Sequence, residues 1–298
     1  MNRSVLPPAA FVTCGIIWGS TFLAIRVGND NLPALWACTL RLVLAAVMLN
    51  LILLASRQSW PKGAALTAAC WYGFLEFGVG LPLLYWGEKV VPSGLAAVLY
   101  AICPITAMIG AKALGMEQWS PRKLGAGAFA LLGVAVIFWR EVIFGASPAG
   151  IASVVIAASV APMAALMLQR GPRQSGIGAN AVGALVALPP SIAGSFILGE
   201  SHRLPTTSNQ IFPIVYLALM SSVVAFGLFA WLINHWKATT VSFLGVIVPV
   251  IAVMFGAIFR NETFAPGALL GALIVIVGVI VALRSDAALK VAPAVSEP

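Results

Sequence analysis

The amino-acid sequence predicts an all-α integral membrane protein, in which ten transmembrane helices form two inverted five-helix repeats. Hydrophobic residues make up 61% of the 298 residues and charged residues only 9%, whereas a soluble domain carries roughly 25% charged residues. Many apolar runs reach the ~20 residues that a helix needs to cross a bilayer. In addition, the second half of the chain repeats the pattern of the first half. These three observations define the fold class.

Ten apolar runs separated by short connections define the predicted spans in chain order. Their approximate bounds are 8–27, 33–55, 64–87, 92–115, 121–139, 148–168, 177–198, 210–234, 239–259 and 265–284. The first run is long enough to span the membrane, so we do not expect it to be a cleaved signal peptide. Residues 285–298 are polar and contain proline, which predicts a disordered cytoplasmic tail.

An internal repeat with a constant spacing of 145 positions relates the two halves of the chain. The identical pairs at this spacing include Trp86 and Trp231, Pro104 and Pro249, Glu117 and Glu262, Pro121 and Pro266, and Gly133 and Gly278. The first repeat is therefore predicted at 1–143 and the second at 144–284. Because each repeat holds five spans, an odd number, the second must enter the membrane from the opposite side. Inverted repeats of this kind are a recurrent plan of secondary transporters.

The distribution of Lys and Arg predicts the orientation of the chain in the membrane. Ten of these residues fall on the side of the N-terminus and five on the other side. The first set is Arg3, Arg57, Lys62, Arg122, Lys123, Arg170, Arg173, Lys237, Arg284 and Lys290, and the second is Arg26, Lys89, Arg140, Arg203 and Arg260. Because cytoplasmic loops carry the excess of Lys and Arg, both termini are predicted to be cytoplasmic, in a bacterial-type inner membrane.

Several functional classes lack the sequence features that they need. The net charge of +8 is explained by the membrane loops, and no RNP, helix-turn-helix or zinc-finger spacing suggests a nucleic-acid partner. No GxxxxGK[ST], HExxH or GxSxG pattern is present, so neither direct use of ATP nor an enzyme is expected. The cysteines at 14, 38, 70 and 103 lie in apolar runs without CxxC spacing. We therefore predict no metal and no cofactor.

Short sequence elements in a fixed order resemble the drug/metabolite transporter superfamily, most closely its ten-helix EamA-type exporters. They are Trp18–Phe22, similar to a WGs.f signature, Leu40–Ala45, similar to lRf.lA, and a block of Leu95–Pro104, Glu117 and Gly125–Val136 that occurs again around Pro249, Glu262 and Gly278. The similarity covers nearly the whole chain, although Ser159–Pro162 replaces an aromatic-rich segment found in many members.

The resemblance implies a carrier that exports amino acids, including aromatic ones, by alternating access through a central cavity between the repeats. Its partners would be a small-molecule substrate and membrane lipid, and the sequence is compatible with a monomer. Alternatives are an exporter of other amphipathic drugs or metabolites, and an uncoupled facilitator or channel. Proton antiport and facilitated diffusion both remain open.

Two prolines near the middle of the fourth and ninth spans are candidates for this cavity. Pro104 and Pro249 occupy equivalent positions in the two repeats. A proline inside a helix frees the carbonyl four residues earlier, here that of Tyr100 or Gly245. In one interpretation these carbonyls line the cavity and accept a substrate ammonium group. In the other, the kinks only shape the helices.

The charged residues within the spans are further candidates. Glu76 is the only acid deep in a predicted span, and Arg41 lies at a similar depth in the preceding span. Glu76 is either a proton-coupling or ammonium-binding site, or the partner of Arg41 in a buried structural ion pair. Lys112 lies near the inner end of the fourth span, where it either extends to the interface or assists the approach of substrate from the cytoplasm.

Three aromatic residues lie deeper than the tryptophans of the membrane interfaces. Trp18, Tyr72 and Tyr100 fall well inside their predicted spans. Buried Trp and Tyr side chains offer a flat apolar face and one polar group. They are therefore candidate walls for an amphipathic or aromatic solute, with ordinary helix packing as the alternative.

Overall fold

The structure is a computed structural model that describes residues 5–137, 147–251 and 267–291. Within these ranges the chain is helical and contains no β-strand. In chain order the helices are α1 (Leu6–Asn31), α2 (Ala34–Ala55), α3 (Ala64–Val90), α4 (Ser93–Tyr100), α5 (Cys103–Ala113), α6 (Pro121–Ile137), α7 (Pro148–Arg170), α8 (Gly176–Ile197), α9 (Ser208–Ile233), α10 (Ala238–Ile251) and α11 (Ala268–Val291).

The helices follow the predicted spans in order, with α4 and α5 together forming the fourth span. Seven helices of the described ranges are long and apolar enough to cross a membrane, counting α4 and α5 as one. The fifth, ninth and tenth spans are represented by α6, α10 and α11, and their predicted parts at 138–139, 252–259 and 265–266 lie outside the described residues. The predicted all-helical membrane fold is confirmed, whereas the division at 143 and 144 stays a prediction.

Helix α11 continues past the predicted end of the tenth span at Arg284 and ends at Val291. The added residues include Ala287, Ala288 and Leu289, which have a high intrinsic preference for helix. The first part of the predicted disordered tail is therefore helical. Its remaining part, 292–298, lies outside the described residues.

Large apolar side chains are exposed on the outside of the helical bundle. Leu54 is 69%, Phe212 67% and Ile197 82% exposed. Extended apolar surfaces of this kind are rare on monomeric soluble proteins, because water does not solvate them favourably. The hydrocarbon tails of a bilayer suit them, so the outer surface fits a protein embedded in lipid.

Equivalent helices of the two halves pack against each other in antiparallel orientation. In the contact between α6 and α11, a Cβ atom added to Gly133 would lie 2.8 Å from the carbonyl oxygen of Gly271, and one added to Gly278 would lie 2.9 Å from that of Ala126. At the spacing of 145, Gly271 corresponds to Ala126 and Gly278 to Gly133. Exchanging the two halves therefore converts one contact into the other, as an inverted repeat requires.

Helices α3 and α9 each contain a wide π-helical segment at an equivalent position. The segment in α3 is Phe74–Gly80 and the segment in α9 is Leu217–Ala225. Their last residues, Gly80 and Ala225, are again 145 positions apart. A π-helical turn is rare and is found frequently at functional sites. The space between these two segments is therefore a candidate functional site.

Candidate functional site

A central cavity with about 800 Å³ of empty space, part of it open to the outside, lies between the helices of both halves. Most of the wall is apolar, and its aromatic part is formed by Trp18, Phe22, Tyr100, Phe226 and Phe229. Trp18 packs against Phe226 and Phe229 with ring centroids 5.0 and 5.2 Å apart. These rings give the cavity a surface suited to an apolar or aromatic group.

The predicted site residues divide into two groups in the structure. Trp18, Arg41, Glu76, Tyr100 and Gly245 line the cavity, so side chains that are distant in sequence come together there. The remaining candidates are absent from the cavity lining, although each is described. They are Tyr72, Pro104, Lys112 and Pro249.

Tyr72 is fully buried on another face of α3. Its hydroxyl donates a hydrogen bond to Oδ1 of Asn180 at 3.1 Å. The amide of Asn180 in turn donates to the carbonyl oxygens of Gly176 and Phe226. Tyr72 thus helps to join α3, α8 and α9, which is the packing alternative considered for it.

Pro104 lies in the first turn of α5, because the fourth span is interrupted between Tyr100 and Cys103. A proline is well accommodated in a first helical turn, where its missing N–H would have no partner. The predicted kink is therefore a break between two helices. Pro249 is buried within α10.

Lys112 is exposed at the end of α5. Its ammonium nitrogen lies 5.8 Å from the centroid of the Trp119 ring, within the distance of a cation–π interaction. This arrangement agrees with a lysine that extends to the interface.

The guanidinium group of Arg41 is buried and held by hydroxyl groups. Arg41 is 1% exposed and lies about two turns from the first residue of α2. Its Nε donates to Oγ of Ser222 at 3.0 Å, Nη2 donates to Oγ of Ser221 at 2.9 Å, and Nη1 donates to the hydroxyl of Tyr85 at 3.4 Å. Both serines belong to the π-helical segment of α9. That segment therefore orients a cation from the opposite half of the chain.

The carboxylate of Glu76 comes from the equivalent π-helical segment of α3. Glu76 is 8% exposed, and its Oε2 is buried without a hydrogen-bond partner. Within the described part of the chain, no ion pair within 4.0 Å joins Glu76 to Arg41. The geometry thus does not show the direct pair that was one of the two sequence interpretations. Instead, two opposite charges share one cavity wall.

Equivalent residues of the two halves meet at the cavity. A Cβ atom added to Gly245 would lie 2.7 Å from the carbonyl oxygen of Tyr100 and 2.9 Å from Cβ of Cys103. Tyr100 and Gly245 are 145 positions apart. The carbonyl group of Tyr100, just before the break in the fourth span, therefore faces Gly245, which is the equivalent residue of the second half. Only a residue without a side chain allows this approach.

A second polar cluster joins the connection after α5 to the start of α10. Oε2 of Glu117 lies 3.5 Å from Nζ of both Lys123 and Lys237, and Oε1 accepts a hydrogen bond from Thr239 at 2.8 Å. Nζ of Lys123 donates to Thr239 at 3.0 Å. Glu262, the counterpart of Glu117, lies outside the described residues. The cluster connects the two halves on the side where sequence analysis predicts the cytoplasm.

Sequence reasoning missed Ser221, Ser222 and Tyr85 as functional candidates. A signal for the first was present, because Ser221 occupies the position equivalent to Glu76 in the repeat. A serine in an apolar span is common, however, and its role depends on an arginine of another helix. Among the described residues, no cluster of His, Cys, Asp and Glu is arranged to hold a metal ion.

Comparison with known proteins identifies the family. The model of the EamA-like transporter family matches residues 8–139 and, a second time, residues 146–284. An uncharacterized inner membrane transporter of Escherichia coli, YedA, is 27% identical over 265 residues, covering 88% of this chain and 86% of YedA. A probable amino-acid metabolite efflux pump of the same species is 26% identical over 291 residues, covering 93% of this chain and 95% of the pump.

A solved structure described only as the crystal structure of a protein has a TM-score of 0.73 and 18% sequence identity. The match covers 97% of this chain and 100% of the chain in that structure. At this identity the likeness concerns the fold alone. The two family matches together span nearly the whole chain, and they contain every residue of the cavity wall. The protein is therefore a membrane transporter that belongs to the EamA-like transporter family.

Proposed function

We propose that this transporter exports small amphipathic metabolites, above all amino acids including aromatic ones, by alternating access. The observation that carries the proposal is the composition of the central cavity. Its wall is largely apolar and aromatic, yet it contains the two opposite charges of Arg41 and Glu76. A zwitterionic solute with an apolar side chain matches both features. The name of the similar efflux pump, an amino-acid metabolite exporter, agrees with this substrate class.

Alternating access is supported by the relation between the two halves. Arg41 belongs to the first half and is held by Ser221 and Ser222 of the second half. A rocking motion of one half against the other would therefore change the surroundings of a charge in the cavity. We place the protein in a bacterial inner membrane with both termini in the cytoplasm, on the basis of its loop charges and of the inner membrane location in the name of YedA.

Counterflow in proteoliposomes tests the proposal. Purified protein would be reconstituted into vesicles loaded in turn with unlabelled Phe, Trp, Thr, Met or an apolar cationic dye, and the labelled solute would be offered outside. We expect saturable accumulation that requires the unlabelled amino acid inside. Flux without saturation or counterflow would indicate a channel, and exchange of the dye alone would indicate an exporter of other amphipathic compounds.

A further inference from the structure

The buried charge of Arg41 has no carboxylate within ion-pair distance among the described residues. Its partners are the hydroxyls of Ser221, Ser222 and Tyr85. Hydroxyl groups orient a guanidinium, but they do not neutralise it. A charged group in the membrane interior is costly unless an opposite charge compensates it. Among these residues Arg41 therefore lacks an anion in direct contact, and Glu76 on the same cavity wall compensates its charge only from beyond ion-pair distance.

The guanidinium of Arg41 retains donors for an additional ligand. Arginine carries five N–H groups in a planar fork, and three hydrogen bonds to protein are formed. The two N–H groups that remain belong to a side chain that lines the cavity. A planar carboxylate is the natural complement of such a fork, because it can accept two parallel hydrogen bonds.

Within the described ranges Glu76, on the same cavity wall, lacks a hydrogen-bond donor and a cation in direct contact. Its Oε2 is buried without a hydrogen-bond partner, and no cation of the described residues lies within 4.0 Å of the carboxylate. A buried carboxylate oxygen that accepts no hydrogen bond costs free energy. An ammonium group in the cavity would donate a hydrogen bond to this oxygen and place a positive charge in direct contact with it.

We infer that Arg41 and Glu76 together recognise the α-amino acid backbone of the substrate, Arg41 receiving the carboxylate and Glu76 the ammonium group. This inference rests on the proposed function and specifies its substrate as a zwitterion. The two protein charges are not in direct contact and both line the cavity, so in this binding mode each charged group of the solute meets its own partner. The aromatic rings of Trp18, Phe226 and Phe229 then surround the solute's side chain.

The same arrangement connects recognition to the two π-helical segments. Glu76 lies in the segment of α3, whereas Arg41 is held by the segment of α9. A bound zwitterion would thus bridge the equivalent segments of the two halves. A ligand that lacks either charge would contact only one of them.

Counterflow with a series of phenylalanine analogues tests the inference on the full-length wild-type protein. L-Phenylalaninamide and phenethylamine lack the carboxylate, and 3-phenylpropionate lacks the ammonium group, but all three keep the ring. Hydrogen bonds to charged groups contribute enough that each analogue should exchange at least about tenfold less efficiently than L-phenylalanine. Analogues that exchange as well as L-phenylalanine would overturn the inference, while the transporter function would remain. Absence of exchange by every solute would overturn the proposed function itself.

Two variants assign the charges to their partners. In Arg41→Gln the advantage of L-phenylalanine over phenethylamine should disappear, and in Glu76→Gln its advantage over 3-phenylpropionate should disappear. Arg173→Gln and Asp30→Asn change the same charges at exposed positions, and they should keep both preferences. The readout is a ratio between two solutes. It therefore comes only from the folded molecules of a variant and does not depend on how many of them have folded. Ratios in the two cavity variants that equal the wild-type ratios would overturn the assignment.

Discussion

In the proposed binding mode, a proton and the ammonium group of the substrate compete for the same oxygen atoms of the Glu76 carboxylate. The titratable and charged groups that share the cavity wall with it are Arg41, Tyr100 and Cys103. Protonation of Glu76 would remove the negative charge that holds the ammonium group, and it would favour release of the solute. Acid on the outer side of the membrane would then promote export, which is the direction of proton antiport.

Glu76→Gln should remove this response. Glutamine has nearly the same shape as glutamate but takes up no proton, so the variant should export at one rate with or without an acidic outer side. The measurement is efflux from proteoliposomes with an imposed pH gradient, compared with the wild type and with Asp30→Asn. A response to the gradient that is unchanged in Glu76→Gln would show that another group couples the proton. A wild type without any response would indicate facilitated diffusion.

For single residues, the sequence predicted the depth within a span better than the direction in which the side chain points. Trp18, Tyr72 and Tyr100 were all identified by their depth in a span, but Tyr72 lies on another face of its helix and contacts Asn180. Depth follows from the position in an apolar run, since each helical residue advances by 1.5 Å. The direction of a side chain depends on which neighbouring helices pack around it. That information lies in distant parts of the chain.

At the scale of elements, the contact between Tyr100 and Gly245 determines how closely the fourth and ninth spans approach. The carbonyl oxygen of Tyr100 and the side chain of Cys103 occupy the space that a Cβ at position 245 would need. The obstructing atoms include backbone, so a larger residue must displace a helix. Both the packing of the bundle and the shape of the cavity depend on this glycine.

Gly245→Ala should therefore destabilise the protein by about 1–3 kcal/mol, the usual cost of overpacking, and lower its rate of counterflow. The unfolding temperature in detergent and the initial rate of exchange would be measured together. Gly227→Ala is the matched control, since a Cβ at Gly227 has no atom within 4 Å. Equal stability and equal exchange in the two variants would contradict a close contact at the cavity.

The break in the fourth span was predictable in outline, whereas the π-helical segments were not. Pro104 indicates an interruption because it disfavours a continuous helix, and α5 does begin at Cys103. The segment Phe74–Gly80 has an apolar pattern that an ordinary helix would also have. Its wider turn accompanies packing against the neighbouring helices, which the local sequence does not record. The equivalent position of Leu217–Ala225 becomes meaningful only after both segments are seen.

At the scale of the whole molecule, the internal repeat connects the sequence to the cavity. The spacing of 145 predicts which residues of the two halves correspond, and the structure brings two such residues, Tyr100 and Gly245, into contact. The family match in two consecutive parts follows the same organisation. The substrate has no comparable signature, because it is recognised by a few side chains from several helices. Chemistry of the cavity is therefore the best guide to it.

The central claim is that the cavity between the two halves is the transport site, and Cys103 provides a reporter within it. Cys103 lines the cavity, and the other cysteines of the chain lie at 14, 38 and 70. In a variant with those three replaced by alanine, shown to retain counterflow, a thiol reagent would label Cys103 alone.

The rate of this labelling in the presence of a transported amino acid is the most direct test. We predict that the amino acid slows labelling of Cys103, with half of the effect at the concentration that half-saturates exchange, and that a solute that is not exchanged has no effect. Saturable exchange of an amino acid that leaves the labelling rate unchanged would contradict the account, because transport would then proceed without occupation of this cavity.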